Sequence, residues 1–439
     1  MQKKLLTMAV AGALAAPCIA LAQSSVEVYG TINMAFGKFK YSEGNSVATN
    51  GAGNVTTPSI SKWDVSQGAS NYGLRGRENV GGGLTAWFQI EQNAPMERSN
   101  NIAITPASRN SAVGIQGGFG NVFIGQWTTP WADLDSLWAI GNVGFWGPVT
   151  SVIGRRETTG TSPSANCANL GHGVPGTCDA VEASGGVGHP FWRRVSQAAF
   201  YQSPVFSGVQ IKVAYQTNES KSNGAVATRS NADPSLWSTS VQWAGLGGRA
   251  RIGLGYDRHK DHSSIGQSDT GWAVKGGWNF GVVDVGLAYE RTKYRCGGTS
   301  FDVPGTAPAA GANSTFTCGA TAGAAGVVSG DVNQHNMGIA LAVPVGMGSI
   351  RASYARASDL TGGGFEGVFP DTGSKEMNIG YEHRFSKRTN VGVGYAKIEN
   401  KRNSNMSWTG MPPNGFNGQP LSTLGSNPST YFVSITHRF

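Results

Sequence analysis

The chain holds 439 residues, with 34 Lys and Arg against 26 Asp and Glu, a net charge of +8 and a mean hydropathy of −0.21. Beyond its N-terminus no apolar run reaches the ~18 residues that a membrane-spanning helix needs. No block of like charge marks a nucleic-acid partner. Glycine, at 64 residues, is about twice its usual share. That composition suits a chain of many short strands and turns.

Residues 1–22 read as an export leader. Lys3 and Lys4 precede an apolar run from Leu5 to Ala16, and Ala20-Leu21-Ala22 supplies a small-x-small cleavage pattern before Gln23. Losing the two lysines lowers the net charge from +8 to +6. Residues 23–439 then form one domain. An exported chain without a spanning helix is either soluble or crosses a membrane as a closed barrel. A barrel needs apolar residues only at every second strand position, so mean hydropathy does not reveal it.

Sixteen segments read as strands: 26–40, 70–80, 83–92, 109–118, 121–127, 193–203, 208–217, 236–245, 249–258, 271–280, 282–293, 333–345, 348–357, 375–386, 389–399 and 430–439. Val26, Val28, Ile32, Met34 and Phe36 share one face of the first. Val283, Val285, Leu287 and Tyr289 do so in the eleventh, and Met377, Ile379, Tyr381 and Phe385 in the fourteenth. This is the period-two pattern of strands between an apolar and a polar medium.

The connections alternate in length. Short ones fall at 81–83, 118–120, 204–207, 245–248, 281, 346–348 and 386–388. Long ones fall at 41–69, 93–108, 128–192, 218–235, 259–270, 294–332, 358–374 and 400–429. Antiparallel strands would send all short turns to one end and all long loops to the other, as outer-membrane barrels do. The expected fold is all-β, a 16-stranded antiparallel transmembrane barrel.

In the last strand Tyr431, Val433, Ile435 and Phe439 lie on one face, and Thr430, Ser434, Thr436 and Arg438 on the other. Phe432 alone breaks the pattern. A chain that stops on the aromatic end of such a strand resembles bacterial outer-membrane barrels, whose assembly machinery reads that residue. Phe439 is therefore the expected assembly signal.

The resemblance becomes specific along the chain. Ser25-Val26-Glu27-Val28-Tyr29-Gly30 resembles the opening strand of Gram-negative trimeric porins of the β-proteobacterial branch. Tyr72-Gly73-Leu74-Arg75-Gly76, Gly83-Leu84 and Phe88-Gln89-Ile90-Glu91 resemble the second hairpin. Phe119-Gly120-Asn121-Val122, Gly125-Gln126, Thr129-Pro130 and Asp133-Leu134-Asp135-Ser136 resemble the fifth strand and the start of the third loop. Arg194-Val195, Tyr201-Gln202-Ser203-Pro204 and His437-Arg438-Phe439 follow in order. Gln126 departs from the pattern, standing where many relatives carry Arg.

The resemblance implies a homotrimer in the outer membrane of a Gram-negative bacterium, in contact with lipid and lipopolysaccharide. It implies a water-filled channel for passive diffusion of small hydrophilic solutes and ions, with no cofactor. It also implies that the third loop folds inward and narrows the pore. Thr129 can cap a helix there, Pro130 suits its first position, Asp133 complements its dipole, and Gly141 can end it.

The pore-constriction residues expected from strand parity and from the resemblance are Arg75, Arg77, Glu91, Arg109 and Arg194 on the wall, with Asp133 and Asp135 on the loop. A cationic wall facing an acidic loop would set a transverse field and favour anions. The blander alternative is that these are ordinary solvated lumen charges. Five tryptophans cluster at the loop: Trp127, Trp131, Trp138, Trp146 and Trp192. They either offer a stacking surface to aromatic organic acids, making the channel substrate-selective, or anchor the loop to the wall. Anchoring is the favoured reading. Trp272, Trp278, Tyr289 and Tyr381 fit aromatic girdles at the membrane interfaces.

Four cysteines remain after the leader, and four allow three pairings. The simplest is Cys167–Cys178 and Cys296–Cys318, each within one loop of an exported protein. No Cys-x-x-Cys supports a metal site, and His259 with His262 reads as a solvated loop tip. The competing class is an outer-membrane enzyme. Its nucleophile, base and orienter would have to converge, and the seven histidines stand in no such motif.

Overall fold

The structure, a computed structural model, describes residues 25–47, 54–68, 70–94, 96, 106–144, 146–148, 152–153, 191–217, 233, 235–261, 266–296, 317–318, 327–328, 330–363, 370–402, 404, 406–408 and 425–439. The barrel strands are β1 (Ser25–Tyr41), β2 in two segments (Ile60–Gln67 and Asn71–Gly81), β3 (Leu84–Asn93), β4 (Ser111–Gly117), β5 (Gly120–Thr128), β6 (Arg194–Gln202), β7 (Val209–Gln216) and β8 (Ser235–Gly245). They continue as β9 (Ala250–Lys260), β10 (Ser268–Asn279), β11 (Asp284–Cys296), β12 (Gly330–Val345), β13 (Gly348–Ala357), β14 (Ser374–Arg384), β15 (Thr389–Asn400) and β16 (Pro428–Arg438).

Each strand pairs antiparallel with the next, and β16 closes on β1 from Thr31↔Arg438 to Tyr41↔Pro428. The closure continues past the last strand. Gly30 N–H donates to the Phe439 carbonyl at 3.2 Å, and Phe439 N–H donates to the Gly30 carbonyl at 3.1 Å. The result is a closed sixteen-strand antiparallel barrel, as the alternating connections imply. Closure matters because it leaves no unpaired edge in the hydrocarbon.

Side-chain parity holds around the wall. Val26, Val28, Ile90, Ile124, Trp272, Ile379, Val433 and Ile435 are exposed on the outside. Their inward neighbours are small or polar, and they are covered where loop 3 (the connection between β5 and β6) lies against them. Trp272, Trp278 and Tyr289 are outward and exposed, as girdle residues should be.

Several strand ends shift by up to three residues from the sequence reading, and two differences change what a segment does. Residues 60–67, read as loop, extend β2 upward along β1 from Tyr41↔Ile60 to Met34↔Gln67. Gly68 and Ser70 lie outside the ladder, a break that hides the strand from a search for continuous alternation. Side-chain chemistry bridges the break: Asn33 N–H donates to Ser70 Oγ at 2.9 Å, and Ser70 Oγ donates to the Asn33 carbonyl at 2.9 Å. The second difference is β9, which runs on to Lys260. His259 is therefore buried and stacked on Phe191 at 4.5 Å, not at a solvated tip. His262, Cys167 and Cys178 lie outside the described residues, as do the side chains of Cys296 and Cys318.

Candidate functional site

Loop 3 enters the barrel on a short helix, α1 (Pro130–Asp133). Thr129 caps it, its Oγ1 accepting from Ala132 N–H at 3.3 Å, with Pro130 at the start and Asp133 in the first turn. A 3-10 turn follows over Leu134–Leu137. The helical stretch thus ends before Gly141. That glycine serves a different purpose, since a Cβ there would overlap the Ala352 carbonyl of β13.

The described part of loop 3 hugs the inner wall from β7 around to β1. Trp131 N–H donates to Ser238 Oγ of β8 at 3.1 Å. Arg251 of β9 donates to the Leu137 carbonyl at 2.6 Å, and Arg351 of β13 to the Asn142 carbonyl at 3.1 Å. Asn378 of β14 donates to the Trp146 carbonyl at 2.8 Å. Trp131, Trp138 and Trp146 are 0%, 0% and 1% exposed. They anchor the loop rather than line the pore. Trp146 stacks on Phe432 of β16 at 4.6 Å and approaches Phe39 of β1 at 6.2 Å. Phe432 breaks the polar pattern of its strand face because an indole covers it.

The two loop carboxylates also turn to the wall. Asp133 pairs with Lys212 of β7, and Gln242 of β8 donates to the same oxygen at 3.3 Å. Asp135 pairs with Lys275 of β10 at 2.5 Å and accepts from the Trp138 indole at 3.0 Å. Lys275 bonds Glu290 of β11 at 2.6 Å, and neither Lys275 nor Glu290 has any exposed side-chain surface. Burial pushes the Asp135 carboxyl above the ordinary carboxylate range, while Lys275 pulls it down. Asp135 is 8% exposed and lies between loop and wall. The expected picture of it as a lining residue facing a cationic wall does not match this geometry. Lys275 offsets part of the cost of burying this carboxylate, and burial remains the larger effect.

On β1–β6 the expected wall residues come together, with partners that strand parity had not singled out. Arg75 bonds Glu27 at 2.8 Å and lies 4.9 Å over the Tyr29 ring. Glu91 is held between Arg109 Nε at 2.5 Å and the Tyr29 hydroxyl at 3.0 Å. Arg109 also donates to Asn93 at 3.3 Å. Arg194 donates to Asn110 Oδ1 at 2.6 Å. Gln126 donates to the Arg109 carbonyl at 3.4 Å. Among the described residues, Arg77 and Arg194 have no carboxylate within 4.0 Å. Glu27 and Tyr29 alternate with outward Val26 and Val28, and Lys212 and Lys275 follow outward Ile211 and Val274. Parity alone would have found these four; their pairing could not be read from it.

A closed barrel with a polar lumen and an internal loop defines a class, the diffusion channel of the outer membrane. The chain belongs to the Gram-negative porin family, whose model matches residues 7–403. It is 23% identical to outer membrane porin protein 32 of Delftia acidovorans over 448 aligned positions, covering 100% of both chains. Among solved structures, an anion-selective porin from Comamonas acidovorans matches with a TM-score of 0.61 at 20% identity, over 95% of this chain and 100% of that one. OmpT of Vibrio cholerae, in a trimer form, matches at 0.53 and 14% identity, over 95% and 99%. These two likenesses concern the fold. The protein is thus a channel-forming barrel of the Gram-negative outer membrane.

Proposed function

We propose that residues 23–439 act as a homotrimeric porin that passes small hydrophilic solutes by diffusion and prefers anions, after removal of residues 1–22. The observation that carries the preference is how the charges of the inner wall and loop 3 are paired. Asp133, Asp135, Glu27 and Glu91 are each bound to a Lys or Arg, whereas Arg77 and Arg194 meet no carboxylate among the described residues. The residual field is cationic and falls mainly on the β2–β6 side. A pair of charges ~4 Å apart interacts by ~1 kcal/mol in water and ~4 at intermediate dielectric. Such a wall attracts anions by about tenfold without holding them, which conduction requires.

Supporting features are the anion-selective porin among the similar structures and the trimer form of another. In the same reading Phe439 is the signal for the barrel assembly machinery. Cys167–Cys178 and Cys296–Cys318 staple two long loops, and the outer rim meets lipopolysaccharide. The test is the zero-current potential across a salt gradient. Wild type should favour anions in dilute salt, with the preference fading as the Debye length falls from ~30 Å at 0.01 M to ~3 Å at 1 M. Arg77→Ala with Arg194→Ala should lower it. A cation-selective wild type would refute the proposal.

A further inference from the structure

We infer that a second anion-holding site lies in the lumen beneath loop 3, at the mouth formed by the short turns, and that it takes small multiply charged oxyanions. A cavity of about 420 Å³ opens there, within the ~300–1,000 Å³ range of small-molecule sites. Its charged lining is Arg351, Arg384, Lys387, Arg438 and Glu382. Its roof is loop 3 itself, at Asn142 and Gly144. Asn33, Asn390 and Thr436 add neutral hydrogen-bonding groups. The lining is thus polar almost throughout.

Parity, pairing and a shared cavity set this cluster apart from most lumen charges, Arg77 and Arg194 being unpaired but outside its lining. Arg384 shares the inward face of β14 with Asn378 and Glu382, and Arg438 shares that of β16 with Ser434 and Thr436. Arg351 is already bound to Glu382 at 3.1 Å and to loop 3. Arg384, Lys387 and Arg438 meet no carboxylate within 4.0 Å among the described residues. Elsewhere in the lumen, Arg75, Arg109, Lys212, Arg251 and Lys275 each have an acidic partner. Three unneutralised cations around one polar cavity form a site complementary to a polyanion. Two arginine forks suit the paired oxygens of a carboxylate or a phosphate. With Asn142 and Gly144 of loop 3 above it and Ser386 and Lys387 of a short turn beside it, the site lies on the short-turn side of the loop that narrows the pore in the proposed reading.

The inference rests on the channel reading, and the experiment separates the two. Single channels are recorded in planar bilayers in dilute chloride. Citrate or pyrophosphate is added to one chamber at a time. Either anion should interrupt the current at lower concentration from the short-turn side. The triple variant Arg384→Ser, Lys387→Ser, Arg438→Ser should need roughly tenfold more anion for the same block. Glu382→Gln should need less. Block by citrate alone would identify carboxylates as the ligands, and block by pyrophosphate alone would identify phosphates. Conducting channels that neither anion blocks, or that block equally in wild type and the triple variant, would overturn the site. Folded protein that forms no channel would instead overturn the pore reading.

Discussion

At Asp135 a single carboxyl couples loop 3 to the wall, and its sign with pH follows from its surroundings. It faces Lys275 of β10, which in turn binds Glu290 of β11, and it accepts from the Trp138 indole of its own loop. Docking buries the carboxyl and raises it above its ordinary value of 3.8. A group whose proton affinity rises on docking makes docking take up a proton. Its contribution to docking is then complete below the ordinary value and diminishes as the pH rises through the raised one. Open-channel current noise, a readout of loop motion, should be lower at about pH 4 than at about pH 7. Asp135→Asn should abolish that difference, since a neutral amide does not titrate and Glu290 remains in both proteins. A variant with the wild-type pH dependence would assign the effect elsewhere. Phe432 makes the complementary point for an apolar side chain. It departs from its strand's pattern only because Trp146 covers it.

At the scale of elements, loop 3 and the strands fit because the inner wall carries small residues where the loop passes. Gly253 and Gly255 of β9 leave room for Leu134, and Gly286 of β11 lies against the Trp138 carbonyl. A Cβ at Gly286 would overlap that oxygen, and a backbone carbonyl cannot rotate away as a flexible side chain can. Gly286→Val should therefore push loop 3 toward the pore axis while the barrel ladder persists. The expected result is lower single-channel conductance with heat-dependent gel mobility retained. Unchanged conductance would mean that the loop's path does not depend on this contact. Much of the element layout was legible beforehand: Pro130 and Thr129 mark the helix start, and the turns fall where glycines and Ser-Pro pairs stand. The upper segment of β2 was not legible, because Ser70 and Asn33 bridge the break through side chains.

For the whole molecule, closure and assembly are the questions. The Gly30–Phe439 bonds extend the β1–β16 seam to the last residue, so the terminal aromatic serves the barrel as well as its proposed role as signal. Outer-membrane extracts should give an oligomer band unboiled and a monomer band after boiling. Deleting Phe439 should deplete the oligomer band. A single monomer band under both conditions would contradict the trimer, and an undiminished oligomer in the deletion would contradict the role of Phe439. The barrel was legible in the chain's local pattern: period-two alternation, strand lengths and the regular exchange of short and long connections need no long-range contact. Alternation also indicated which face of most strands looks inward, and so pointed Arg75, Arg77 and Glu91 to the lumen, whereas Arg109 and Arg194 were placed by the family resemblance. Which charges remain unneutralised is a property of the folded barrel. Glu27 reaches Arg75 across a strand pair, while Lys275 reaches Asp135 across 140 positions of chain. Parity tells where a side chain points, but pairing depends on which strands closure brings together and on where the loop comes to rest. For that reason fewer of the expected cations remain unneutralised, and the basic cavity beneath loop 3 emerged only once β13, β14, β16 and the loop were in place.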